Sequence, residues 1–513
     1  MPKRHYGHCF HGVNYASPPY ELLRTELADA SNIVPTEHGL PTKRGGTVKL
    51  NNTSLASRVT SFFEHRTGST RNQLCSYSTK IAEYDNSSRE FTDVITGLTS
   101  NCMTQWVNFA GKAICVNGGN DAPQYYTDSS TNGALAGTPP TGKTIAEWAN
   151  RLWLGGDTTN LATITGSCVN DPTDWTTTGD AGYVAQIVGD SKDPITGIFP
   201  FFDVLLIGKS NNIYRCFSTA DTPTVASTLS IRPLYSKQNE NAGFTSPWAI
   251  TQVGNDVIFL DGYDIKSLRA TESFGDVEYS SIIPHFRNYL KDTVDKDYLQ
   301  YAQFFHYKKE QQVWVSIPTG SATHFVFVLD YKFLKDTGRY SFYPMADLTV
   351  SCFGGVEDGN VTNIHYGDET GYVYQMDCAG NNDSGSAITA YFTTLIHGNS
   401  LNEGILEKHE IRKQFQYSDS YIEPVDDTLT MTPYYAIDLM NSEQIRTAGN
   451  YTAMDAETVS DWSGTGVKNK RNRFWGLSGK TLALKWYHST LAENFIFYPS
   501  IIDYQWKSKT TIS

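Results

Sequence analysis

One pattern constrains this chain more than any other. A short apolar strand, a reversal rich in Gly, Asn or Asp, and a second strand marked by Tyr or Trp recur from about residue 50 to about 380. "HYGDETGYVYQMD" (365–377) shows the unit in compact form. Asp368-Glu369-Thr370-Gly371 is a reversal with Gly where φ can be positive, and residues 372–376 read as an aromatic, β-branched strand ending at Asp377. Residues 57–85 turn near Ser78-Thr79, and residues 106–128 turn at Gly111-Lys112 and again at Gly118-Gly119. The 147–157 stretch reverses at Asn150, 199–216 at Gly208-Lys209-Ser210-Asn211, and 247–269 at Gly254-Asn255 and Asp261-Gly262. Strands at 301–318 and 324–344 continue the series up to the unit at 348–377.

A repeat of roughly 40–50 residues is the spacing of propeller blades. Seven candidate units with an irregular register predict a mainly-β chain, with a propeller of six to eight blades over residues 47–380. The flanks differ. Pro18-Pro19, with Leu22, Leu23 and Leu27 near helical spacing, predicts a helix within 18–35, followed by an extended arm at 36–46. Residues 1–46 are thus expected to be a helical arm belonging to a platform. Strand-like runs at 387–396, 411–418, 428–437, 481–489 and 495–507 make 381–513 a second, sandwich-like β domain, a platform or tip.

Composition narrows the functional classes. The net charge of 41 − 54 = −13 argues against a protein that coats nucleic acid. Aromatic residues at 13% beside charged residues at 19% favour folded β-structure over disorder. No apolar run approaches the roughly 18 residues needed to span a membrane. Met1 to His5 lead into no apolar segment, so folding in a cytosol is expected. The eight cysteines show no C-x-x-C spacing and read as free thiols in strands.

No motif carries catalysis. "NDPTDW" (170–175) lacks the glycine and spacing of sialidase turns, and "GTPPTGKT" (137–144) misses P-loop spacing. Asp171/Asp174, Asp261/Asp264 and Asp426/Asp427 sit at turns, where Asp satisfies its own backbone. The expectation is a non-enzymatic protein with no cofactor and no metal site. One cluster remains: Lys468, Lys470, Arg471 and Arg473, followed by Phe474 and Trp475, in "VKNKRNRFW" (467–475). On an acidic chain these cations suit either phosphate or an acidic partner subunit, or else a solvated loop between strands.

The order of features, from "SNIVPTEHGLPTKRGG" (31–46) through "NRLWLGGD" and "FFDVLLIGKSNNIYRC" to "YGDETGYVYQMD", resembles the tail nozzle (tail hub) proteins of short-tailed bacteriophages. These are related to the packaged-DNA stabilisation proteins that seal a filled head. The similarity spans roughly residues 20–415. It implies a virion component assembled in the host cytoplasm, in which a homohexameric ring sits below an adaptor and portal. Tail fibre or spike and needle proteins would be its neighbours, and double-stranded DNA would pass without sequence-specific binding. The basic cluster would then be an assembly contact, with Phe474 and Trp475 as its apolar anchor. The rival reading is a receptor- or glycan-binding tail protein that stacks sugars on Trp148, Trp175 and Tyr263.

Overall fold

The computed structural model describes residues 3–179, 181–218, 229–236, 241–270, 276–378, 380–397, 412–425, 429–454, 466–474, 476–491 and 493–506. The hairpins expected from local turn chemistry form where the sequence puts them. Ala149 and Asn150 both take positive φ, 51° and 57°, in the two-residue loop between Thr144–Trp148 and Arg151–Gly155. That geometry matches the right-handed twist of the strands it joins. Gly254 and Gly262 do the same for the hairpins of Ile250–Val253, Asp256–Asp261 and Asp264–Ala270.

Successive hairpins build seven antiparallel meanders: five sheets of four strands, one of five, where Tyr235–Ser236 adds parallel to Asp276–Ser281, and one of six. We number them blades 1 to 7: 59–96, 105–134, 144–187, 197–233, 250–281, 303–345 and 352–378. Blade 7 takes its fourth strand from the other end of the chain, where Gly46–Lys49 pairs with Val373–Cys378. Each blade buries a face against the next. Leu74, Ala113 and Tyr126 join blades 1 and 2, and Leu152, Leu154 and Ile114 join blades 2 and 3. Trp153, Ile164 and Leu205 join blades 3 and 4, and Leu206, Phe244 and Phe259 join blades 4 and 5. A larger core runs through blades 5, 6 and 7, and Val59, Phe62, Cys352 and Val373 bring blade 7 back to blade 1. The ring is closed, so no blade exposes an apolar face at an end.

The flanking segments form one body. Lys3–Tyr6 pairs with Phe495–Trp506, which also pairs with Lys413–Pro424. Asp29–Ser31 pairs with Ala390–His397 in a second sheet completed by Thr481–His488 and Thr432–Ile437. Phe392 and Trp486 of the second sheet meet Phe497 of the first at ring separations of 4.9 and 5.2 Å, the inner layer of a sandwich. We call this body the platform. The propeller is inserted between its N- and C-terminal strands.

The expected N-terminal helix is absent. Only Pro19–Glu21 forms a 3₁₀ turn, Leu22 is extended (ψ 138°), and residues 29–35 are strands. Two of the leucines that mimicked helical spacing are buried separately, Leu22 with Ala436 and Ile445 and Leu27 in the main core, while Leu23 is exposed. Pairing with Ala390–His397 outweighs the weak local preference. Among the described residues the α-helices are Arg287–Thr293, Leu334–Thr337 and Ser442–Arg446, and no helix is long and apolar enough to cross a membrane. All eight cysteines are free, and six are buried.

The blade assignment predicts insertion tolerance. Gly254 has nothing within 4 Å of the place a side chain would occupy, whereas Ile258 is fully buried and pairs with both Thr251 and Ser267. A short Gly/Ser insertion after Gly254 is expected to leave the melting midpoint nearly unchanged, and the same insertion after Ile258 to cost several kcal/mol. Equal losses at both positions, measured by thermal melts, would contradict the blade assignment.

Candidate functional site

Lys468–Arg473 is a strand, not a loop. It runs antiparallel to Lys413–Pro424, with Tyr417 opposite Arg473 and Ile422 opposite Lys468, and forms one edge of a platform sheet among the described residues. The K-N-K-R-N-R run can be a strand because an edge needs little apolar burial, and cations there deter further strand pairing. The period of two splits the cluster. Lys468 and Lys470 are half-buried on one face, while Arg471 and Arg473 are exposed on the other.

Arg471 is already engaged. Its Nε and Nη2 donate to the two carboxylate oxygens of Asp419 at 2.6 and 2.8 Å, and its guanidinium lies 4.2 Å from the Tyr417 ring centre. The hydrogen bonds to Asp419 hold that guanidinium still more firmly in its charged form. Lys468 and Arg473 make no ion pair among the described residues. Phe474 is not a surface anchor: it is 7% exposed, with its ring 6.1 Å from Tyr435 inside the platform core. Trp475 lies outside the described residues.

The other sequence candidates resolve as structure. Trp148 and Trp175 are buried, Trp148 against Trp153 and Trp175 donating its Nε1–H to the Pro172 carbonyl at 2.8 Å, so neither is free to stack a sugar. Tyr263 is half-buried and packs against the main core. Asp171 accepts from the Thr173 amide and Asp174 from the amides of Thr176 and Thr177; the Thr177 hydroxyl first, with those two amides, holds the Asp174 carboxyl well below the usual range. Asp261 pairs with Lys266 at 2.9 Å. Asp264 accepts from Ser281, and burial pushes its carboxyl up. Asp426 and Asp427 lie outside the described residues. Among the described residues no group of three His, Cys, Asp or Glu side chains is placed to hold a metal ion.

Residues distant in sequence make one constellation that the sequence did not reveal. Ser316 Oγ lies 3.3 Å from His324 Nδ1, and His324 Nε2 lies 2.7 Å from Glu369 Oε1. The order resembles a nucleophile, a base and its orienting acid. It is closed, however. Ser316 is 2% exposed and donates to the Val350 carbonyl at 2.7 Å, so neither a substrate nor the imidazole has access to its proton. Arg58 Nε, entering blade 1, lies 3.3 Å from the same Glu369 carboxylate. The "DETG" turn is therefore a clasp that ties blades 6 and 7 to the start of blade 1.

No protein-family model matches this sequence, and no curated protein matches it. Solved structures do. Virginiamycin B lyase from Staphylococcus aureus aligns at TM-score 0.42 and 12% identity, covering 66% of this chain and 99% of its own. BamB from Moraxella catarrhalis aligns at TM-score 0.37 and 13% identity, covering 67% and 96%. The Cps50 (Swd1) β-propeller domain of Myceliophteria thermophila aligns at TM-score 0.42 and 10% identity, covering 66% and 100%. The likeness is one of fold. No residue role passes from those proteins to this one.

Proposed function

We propose that this chain is a non-enzymatic structural subunit of a bacteriophage tail, forming a ring-shaped nozzle that retains packaged DNA and conducts it at ejection. The observation that supports this reading is the domain layout. A closed propeller is carried as an insertion in a two-sheet platform woven from both flanks of the chain. That is the organisation expected of a rigid outer module on a ring-forming body. Six copies would meet head to tail through unlike surfaces and close by rotation. The net charge of −13 keeps passing phosphates from adhering. The glycan-binding rival loses its two tryptophans, Trp148 and Trp175, to the core.

In this reading the basic edge strand docks on an acidic surface of a neighbouring subunit or adaptor, and Lys468 and Arg473 supply the steering charge. Reversing both, Lys468→Glu with Arg473→Glu, is expected to weaken ring formation in sedimentation velocity while leaving the melting temperature unchanged. Arg471 stays untouched because its reversal would face Asp419 and disturb the sheet. If the strand gripped DNA instead, Lys468 and Arg473 would give a log–log salt slope of about −1.8. Normal rings in the variant, together with wild-type duplex binding at that slope, would move the strand to the channel wall. A wild type that sediments as a trimer would favour a spike, and hydrolysis abolished by a single Asp, Glu or His substitution would make the protein an enzyme.

A further inference from the structure

On one axial face of the propeller, the segments leading into successive blades converge around a 590 Å³ cavity. Its walls come from the loop joining blades 1 and 2 (100–103), a hairpin of blade 2 (117–120), and the approaches to blades 3 to 6 at 143, 194–196, 245–248 and 300–301. Lys143 reaches this space half-buried, its stem against Gly119, where an added Cβ would lie 3.1 Å from Lys143 Cγ. Among the described residues no carboxylate pairs with its ammonium, on a chain where acids outnumber bases 54 to 41. The Thr196 hydroxyl is buried here without a hydrogen-bond partner. Trp248 is half-buried and Tyr301 is 37% exposed, and both line the same wall. Asn120 and Asn117 are held in place, the first donating to the Asn117 carbonyl at 2.8 Å and the second to Asp121 at 2.6 Å.

We propose that this cavity binds an acidic saccharide, independently of the nozzle reading. An unpaired cation needs one anion, and the two aromatic side chains offer faces for a pyranose ring. The volume suits a short oligosaccharide. A nucleotide fits less well, because a single lysine is a poor match for the double charge of a phosphate monoester.

Titration calorimetry with the full chain tests the assignment, using trigalacturonate and sialyllactose as acidic probes. Maltotriose, an acetylated tripeptide with a free carboxylate and AMP serve as the alternatives. At least one acidic sugar is expected to bind, with maltotriose at least about tenfold weaker, and Lys143→Gln is expected to lower the acidic-sugar affinity about tenfold. Tyr301→Ala, at a partly exposed position, is expected to weaken binding with an unchanged melting temperature. Lack of binding by both acidic probes, equal binding of the peptide or AMP, or indifference to Lys143→Gln would each overturn it.

Discussion

Gly46→Val is expected to destabilise the protein by about 4 kcal/mol or more and to lower Tm by at least about 5 °C. Gly46 opens the strand that completes blade 7, and its N–H donates to the Gly380 carbonyl at 2.8 Å. A Cβ there would collide with the carbonyl oxygens of Asn382 and Gly380 and lie 2.8 Å from the Asn382 nitrogen. All three are backbone atoms, so no rotamer change relieves the overlap, and the closing strand must move as a whole. The damage spreads because Arg44, two residues earlier, forks onto both oxygens of Asp383 at 2.9 and 2.6 Å while its Nε donates to Asn32. Gly449→Val is the control, since nothing lies within 4 Å of that position and its φ is not in the left-handed region. Equal melting temperatures for the two variants would show that the fourth strand of blade 7 does not seal the ring.

Acid is expected to unfold the protein well before its surface carboxylates are protonated. Burial holds His285 down to about 3, and His365 and His488 down to about 4. Arg339 and His11 add to the effect at His285. At His488 burial and Lys43 outweigh the nearby Glu493 carboxylate. In the unfolded chain each imidazole takes its proton near pH 6.5, so between about 6.5 and 4 the unfolded state binds three more protons than the folded state. The stability these groups leave intact above about pH 6.5 is lost as pH falls, at about 1.4 kcal/mol per group per pH unit. Asp330 acts oppositely. Burial raises its carboxyl to about 6, so the folded state gains a proton first and recovers about one group's worth over the same range. Those four groups together lose two protons' worth, about 2.7 kcal/mol per pH unit between pH 6 and 4; the imidazoles of His11 and His306, also lowered by burial, add to the loss, and the raised carboxyls of Asp29 and Asp264 trim it at the acid end. Urea titrations at pH 7, 6, 5 and 4.5 measure this directly. A stability that is flat or rises as pH falls from 6 to 4.5 would contradict it.

The blades were legible in the sequence because their information is local. Asn150, Gly254 and Gly262 each specify a reversal through their own φ, and the strands beside them carry their own apolar alternation. What failed depends on partners outside the local segment, some of them hundreds of residues away. Asp29–Ser31 is a strand because Ala390–His397 lies beside it, and nothing between residues 18 and 35 encodes that neighbour. The basic run hid its strand because an edge needs no apolar period, and the engagement of Arg471 with Asp419 spans 52 residues. Trp148 and Trp175 stand near turns, which suggested exposure, but an aromatic beside a turn can still point into the gap between blades. The Ser316–His324–Glu369 clasp joins two neighbouring blades, so only their packing brings it together, and only the closed ring adds Arg58.

The insertion of the propeller has a mechanical consequence. The chain enters the propeller at Gly46 and leaves it at Gly380, two residues joined by a hydrogen bond, and Thr47 lies beside Asp383 in register. Tension applied across the platform therefore bypasses the blades. It runs instead along Lys413–Pro424 and Phe495–Trp506, two antiparallel strands of twelve residues each. Pulled lengthwise, such a pair resists in shear, because its ladder bonds must break together. The seven blades hang beside this load path, unstressed by whatever pressure the platform bears.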